Sequence, residues 1–302
     1  MKRPCSAVLF ILCCLPAAPL FAQTEIGGGA CTSSTVSGVY AFTMAGREIT
    51  SAGNVTNVLQ ANGSATFDGL SKVTIAMTTD SIQSVGTPLS WSGTYTMQSN
   101  CYGVVTITSG GSATLNIALY DTGADFLVTG NDSIYSYSGS GNTQPSGCSA
   151  TTFSGVYSFT GTGYSLSNGS VNGVANATGL LKFDGVSNLT ANLTLSETGT
   201  TTATDTATGS YSVSSTCVAS ATIADTSGNS FTMTFSVTST TDESDSGFYA
   251  TFAHSAKTLI SGSGHPVFGQ PTATAANQGA GGKPAPELLA QQLSETFSRR
   301  GR

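Results

Sequence analysis

Few side chains in this sequence are equipped for chemistry. Among 302 residues there are two histidines, His254 and His265, and 16 carboxylates against 10 lysines and arginines. A hydroxyl–imidazole–carboxylate relay is recognised by its geometry and needs an imidazole near an acid. His254 with Asp242 or Asp245 is the relay the sequence leaves open, with Asn131 the aligned residue in the earlier half of the chain. No Gly-x-Ser-x-Gly elbow, His-Glu-x-x-His helix or phosphate loop occurs, and no cofactor motif is read. The chain therefore reads as a protein other than an enzyme. Carboxylates cluster twice: Asp121 and Asp125 in "DTGAD", and Asp242, Glu243 and Asp245 in a later, longer loop. Clustered carboxylates are hard oxygen ligands suited to Ca²⁺. Their spacing is not that of an EF-hand, and Asp and Gly are also what hairpin turns select. A third set is aromatic: Tyr40, Phe42, Trp91, Tyr95, Tyr157, Phe159 and Tyr211. These rings either line a pocket for a small apolar ligand or fill a core.

Whatever these residues do, a repeated scaffold must position them. "CTSSTVSGVYAFT" begins at Cys31 and "CSATTFSGVYSFT" at Cys148. Shifting the chain by 116 or 117 residues also superposes Phe67, Asp68 and Gly69 on Phe183, Asp184 and Gly185, Gly93 and Tyr95 on Gly209 and Tyr211, and Cys101 on Cys217. Trp91 has no aromatic counterpart. So long a period indicates tandem domains, since solenoid units run roughly 20–50 residues. Within each copy apolar residues recur with period two, as in Val73, Ile75 and Met77 or Phe231, Met233 and Phe235. That is the pattern of antiparallel strands with one wet face. Asp68 with Gly69, and Asp184 with Gly185, read as two-residue hairpin turns. The fold class is all-β: two tandem antiparallel domains of about eight strands each, up-and-down barrels, with a β-sandwich as the alternative. An eight-stranded barrel is just wide enough to be filled by its own side chains or to hold one small ligand. Gly38 and Gly155 are expected to allow close backbone packing.

The chain begins with Lys2 and Arg3, an apolar run from Ala7 to Leu15, and small residues closing at Ala22. This reads as an export signal over 1–22, too short for the roughly 20 apolar residues of a membrane-spanning helix. Domains follow at 23–145 and 146–264. A Gly-, Pro- and Ala-rich linker with a helix-like stretch around Leu289, Leu293 and Phe297 completes the chain over 265–302. Four cysteines follow the signal: Cys31, Cys101, Cys148 and Cys217. Four cysteines admit three pairings, and the repeat selects Cys31 with Cys101 and Cys148 with Cys217. Between Gln23 and Gly282 the basic side chains are Arg47, Lys72, Lys182 and Lys257, so no cluster exists to displace phosphate counterions and nucleic acid is excluded as a partner.

The Gly-x-Tyr-x-Phe opening, the Phe-Asp-Gly turn and the Gly-x-Tyr strand leading to Cys resemble a tandem secreted β-repeat module of uncharacterised bacterial surface proteins, over roughly 31–141 and 148–264. Gly38, Val39 and Tyr40, with Gly155, Val156 and Tyr157, are also similar to the Gly-x-Trp of lipocalin- or calycin-type barrels, with tyrosine in place of tryptophan. The resemblances imply a secreted, periplasmic or cell-surface protein. Together with the missing catalytic motifs they lead to an exported structural or adhesive module, with apolar-ligand binding inside the barrels as the alternative. The partner is left unknown.

Overall fold

The computed structural model describes residues 30–120, 123–198, 203–239, 247–254 and 257–267. The first copy comprises β1 (Ser37–Ile49), β2 (Val55–Asp68), β3 (Lys72–Ser81), β4 (Thr87–Met97), β5 (Tyr102–Ser109), β6 (Ala113–Tyr120), β7 (Asp125–Asn131) and β8 (Ser136–Thr143). The second comprises β9 (Ser154–Ser167), β10 (Ser170–Asp184), β11 (Asn188–Glu197), β12 (Ala203–Val213), β13 (Val218–Asp225), β14 (Ser230–Val237), β15 (Phe248–His254) and β16 (Thr258–Pro266). Each strand pairs antiparallel with the next, β8 returns to β1 and β16 to β9, and both copies are closed barrels. Closure rather than a sandwich follows from the length of β1 and β9, which reach neighbours on both sides: Tyr40 faces Ala65 and Thr143, and Gly163 faces Ala175 and Ile260.

The period-two residues point inward and meet. Phe67 lies edge-on between Tyr40 and Tyr95, with ring centroids 5.6 and 5.0 Å away. In the second barrel Phe183 lies between Tyr157 and Tyr211 at 5.6 and 5.0 Å. Edge-to-face packing of this kind stabilises by about 0.5–1.5 kcal/mol per pair beyond burial. The tyrosine hydroxyls also tie down the start of each barrel. Tyr95 donates to the carbonyls of Ser33 and Val36, and Tyr211 to those of Ala150 and Phe153, holding the short 3-10 turns Ser33–Thr35 and Ala150–Thr152 over the barrel end. Disulfides Cys31–Cys101 and Cys148–Cys217 close loops of 70 and 69 residues, with Cα atoms 5.0 and 4.9 Å apart. In the chain-entropy account each closure stabilises by about 4 kcal/mol.

Two local expectations are corrected. The hairpin after Phe67 is a three-residue loop, with Asp68 closing β2 and Lys72 opening β3. The Asp68 Oδ1 accepts the N–H groups of Leu70, Ser71 and Lys72, and the Asp184 Oδ1 those of Val186, Ser187 and Asn188. Gly38 and Gly155 do not serve close packing. They adopt φ of 106° and 107°, and a Cβ on Gly38 would meet nothing within 4 Å, so the requirement is backbone conformation.

The barrels dock chiefly through the outer faces of β1 and β2 on one side and β10, β14, β15 and β16 on the other. Val58 packs with Leu166, Ala253 and Leu259. Around this apolar patch lie buried polar groups: the Ser236 Oγ donates to the Asn62 Oδ1 at 2.5 Å, and Asp80, only 3 % exposed, accepts the Gly86 N–H at 2.7 Å and faces the Thr251 hydroxyl. The Ser239 N–H donates to the Thr143 carbonyl, and the Gln144 amide to that of Cys217, pinning the connection between barrels.

Candidate functional site at the mouth of the second barrel

The seven aromatic candidates all lie inside the barrels, Tyr40, Phe42, Trp91 and Tyr95 in the first and Tyr157, Phe159 and Tyr211 in the second, and all are buried. Tyr40 donates to the Gly123 carbonyl at 2.7 Å, so its hydroxyl is committed to the protein. Burial raises the tyrosine hydroxyls above their ordinary value, Tyr211 to about 12, with the Asp184 charge adding to the effect. Between Phe42, Met44, Phe67 and Phe126 in the first barrel remains a cavity of about 30 Å³. That is about one water's share of liquid volume.

Of the five acidic candidates, Asp125 is described. It opens β7 and is buried, facing the Tyr40 and Tyr249 hydroxyls electrostatically, so it sits in a strand rather than on a solvated turn. Asp121, Asp242, Glu243 and Asp245 lie outside the described residues, as do the export signal and the tail beyond 267. Among the described residues no three His, Cys, Asp or Glu side chains come together as a metal site. The residue opposite His254 in the first barrel is Asp132 rather than Asn131: Thr114 pairs with Asn131 on β6 and β7, whereas Phe231, one pair further along, takes His254.

The two barrels differ most at the end where β1 and β9 finish. In the first, Trp91 packs edge-on against Tyr137 at 6.0 Å, Tyr135 leans on Tyr137 at 6.0 Å, and the Tyr137 hydroxyl donates to the Asp132 carboxylate. The rings close that mouth. Register places Ala207 where the first barrel has Trp91, and Ile260 where it has Tyr137. Two residues before Tyr137 stands Tyr135; two before Ile260 stands Thr258.

The smaller residues leave room for a polar ring of side chains. Phe231 pairs with His254, His254 with Thr258, Thr258 with Ser165, and Ser165 with Gly173, successive strands at one level of the wall. Glu197 continues the inward face of Leu189 and Ala191. Thr258, 1 % exposed, donates to the Glu197 Oε1 at 2.6 Å. Ser165 is 5 % exposed, and among the described residues its Oγ has no hydrogen-bond partner. Beside it opens a cavity of about 300 Å³ that Ser167, Asn172, Glu197, Thr198 and Lys257 also line. His254 stacks on Phe231 with ring centroids 4.5 Å apart, and Phe231 on Phe252 at 4.9 Å. Burial, with the Lys257 charge, lowers the His254 pKa below its ordinary value against the opposing pull of Asp225 and Glu197. Both causes favour the neutral form of this imidazole.

No known protein family matches the chain, and no curated protein does. Among solved structures it aligns with kievitone hydratase from Nectria haematococca at 6 % identity and TM-score 0.26, covering 77 % of this chain and 90 % of that one. It also aligns with a protein assigned as AttH from Nitrosomonas europaea at 8 % identity and TM-score 0.22, covering 83 % and 98 %. Similarity at this level carries no argument about chemistry. The site must be read from its own residues.

Sequence reasoning did not single out Ser165, Glu197 or Thr258. In a chain this rich in serine and threonine, no local pattern marks two of them. The available signal was the mismatch between copies at Trp91.

Proposed function

We propose that this chain is an exported structural or adhesive module of the cell envelope or extracellular space, related to the tandem secreted β-repeat modules that its opening motifs resemble. The observation that carries this reading is the first barrel's interior, filled by its own rings down to a cavity of about 30 Å³. An occupant of ordinary size needs roughly 300 Å³ or more. Two disulfides, each within one barrel, fit an oxidising compartment outside the cytoplasm. A stapled, closed barrel presents no free strand edge, and docking of two such barrels over a buried interface makes a stiff unit whose work falls to its outer surface.

The test is native mass spectrometry of the mature protein from its own host, before and after organic extraction. The expected result is a bare chain, unchanged by extraction. A discrete mass lost on extraction would overturn the reading in favour of an apolar-ligand carrier.

A further inference from the structure

The mouth of the second barrel holds a group that an outer-surface role leaves unused. A buried hydroxyl without a partner costs about 1–3 kcal/mol, and alanine at an inward strand position would avoid that cost. Ser165 nevertheless carries one that has no partner among the described residues, 5 % exposed and bordering the 300 Å³ cavity. We propose that this mouth binds a small neutral polyhydroxylated ligand, a mono- or disaccharide unit.

The lining specifies that chemistry. Ser165, Ser167 and Asn172 offer hydroxyls and an amide, each able to donate and accept, while Glu197 and Lys257 contribute one charge of each sign; the Thr198 hydroxyl is already engaged by the Val174 N–H and carbonyl. The balance favours a neutral ligand over an ion. Thr258 fixes one carboxylate oxygen of Glu197 and so orients the carboxylate at the cavity wall. Charge-assisted hydrogen bonds from ligand hydroxyls to such a carboxylate are about twice as strong as neutral ones. The volume lies at the lower end of the range for small-molecule sites. The cavity is not a general property of this fold, because the first barrel closes the same end with Trp91, Tyr135 and Tyr137. The inference goes beyond the structural or adhesive reading and stands without it: an apolar mass on extraction tests that reading and leaves this one untouched.

The test uses the mature full chain at pH 7. Glucose, galactose, mannose, N-acetylglucosamine and their β-linked disaccharides are titrated by calorimetry and ligand-observed NMR, alongside tetramethylammonium and acetate as compact ions. At least one sugar is expected to bind with a Kd of about 1 mM, equivalent to ~4 kcal/mol, and neither ion is expected to bind. Ser165→Val is expected to weaken that sugar about tenfold, the size of one charge-free hydrogen bond together with its desolvation. Asn172 is exposed, so Asn172→Ala leaves the core intact and is expected to weaken binding severalfold even if Ser165→Val does not fold. Absence of sugar binding to folded protein up to about 10 mM, below ~3 kcal/mol of affinity, would overturn the proposal. So would binding of an ion and no sugar, or unchanged sugar affinity in Asn172→Ala.

Discussion

A single carboxylate oxygen organises each Phe-Asp-Gly loop, and its protonation is the most direct handle on this protein at the level of one residue. The Asp184 carboxyl is held well below the usual carboxylate range by the N–H of Asn188, then by those of Val186 and Ser187 and the Asn188 amide. The Asp68 carboxyl is lowered in the same way by the N–H groups of Lys72, Leu70 and Ser71. Both folded values are depressed, so the stability these groups bring is full above the unfolded value near about 4 and is lost as pH falls through the folded one. Asp184→Ala should lower the thermal midpoint at pH 7, and the gap to the native protein should close as the melts are repeated at successively lower pH. A gap independent of pH would rule out the carboxylate as its source. Tyr211 supports the barrel differently, through one hydroxyl within reach of two carbonyls. Tyr211→Phe leaves both without that donor, and urea unfolding should show a loss of about 1–3 kcal/mol. The sequence placed both residues at the right spots through the repeat. It misjudged the loop because Asx-type acceptance of three N–H groups, rather than the two-residue turn chemistry of Asp with Gly, fixes the hairpin.

Strands were the most legible elements, because inward and outward residues alternate along nearly all of them and the rings of one copy match those of the other. Glycine was legible only as an exception to the pattern, not as a cause. Gly93 and Gly209 sit at matching inward positions on β4 and β12, where a Cβ would fall on the carbonyl oxygens of Thr106 and Thr222 in the neighbouring strand. Such glycines let a strand bend sharply enough to close a barrel. Gly209→Ala should therefore destabilise by about 1–3 kcal/mol, the usual cost of overpacking, measured by urea denaturation. Full native stability would show that β12 has slack its register does not suggest. The mouth of the second barrel was illegible for the opposite reason: its defining event is loss of bulk at Ala207, Thr258 and Ile260, and small residues announce nothing by themselves. Only comparison with Trp91, Tyr135 and Tyr137, whose register positions they share, reveals the vacated space.

At the scale of the whole molecule, the interface between barrels is the part that period-two reasoning hides. Gln60, Asn62, Asp80, Ser236 and Thr251 all occupy outward positions, which alternation assigns to water, yet all are buried because a second barrel covers them. Burial raises the Asp80 carboxyl above its ordinary value, and the Gly86 N–H and Thr251 hydroxyl only partly offset this. With a raised folded value, the contribution is full below about pH 4 and is lost as pH rises through that value. The native protein should lose stability relative to Asp80→Asn as pH is taken from about 4 toward 7, read from paired thermal melts. A constant difference would mean that the carboxyl keeps its water in the docked state. The disulfides have a consequence of a different kind, in time. Each bridge joins two cysteines of one barrel, and the first pair precedes the second along the chain. Under the export proposed for this chain, a polypeptide threaded N-terminus first through a translocation channel would present Cys31 and Cys101 to the oxidant while Cys148 and Cys217 are still behind it. Order of arrival then selects the native partners, and an isomerase has no crossed bridge between the barrels to undo.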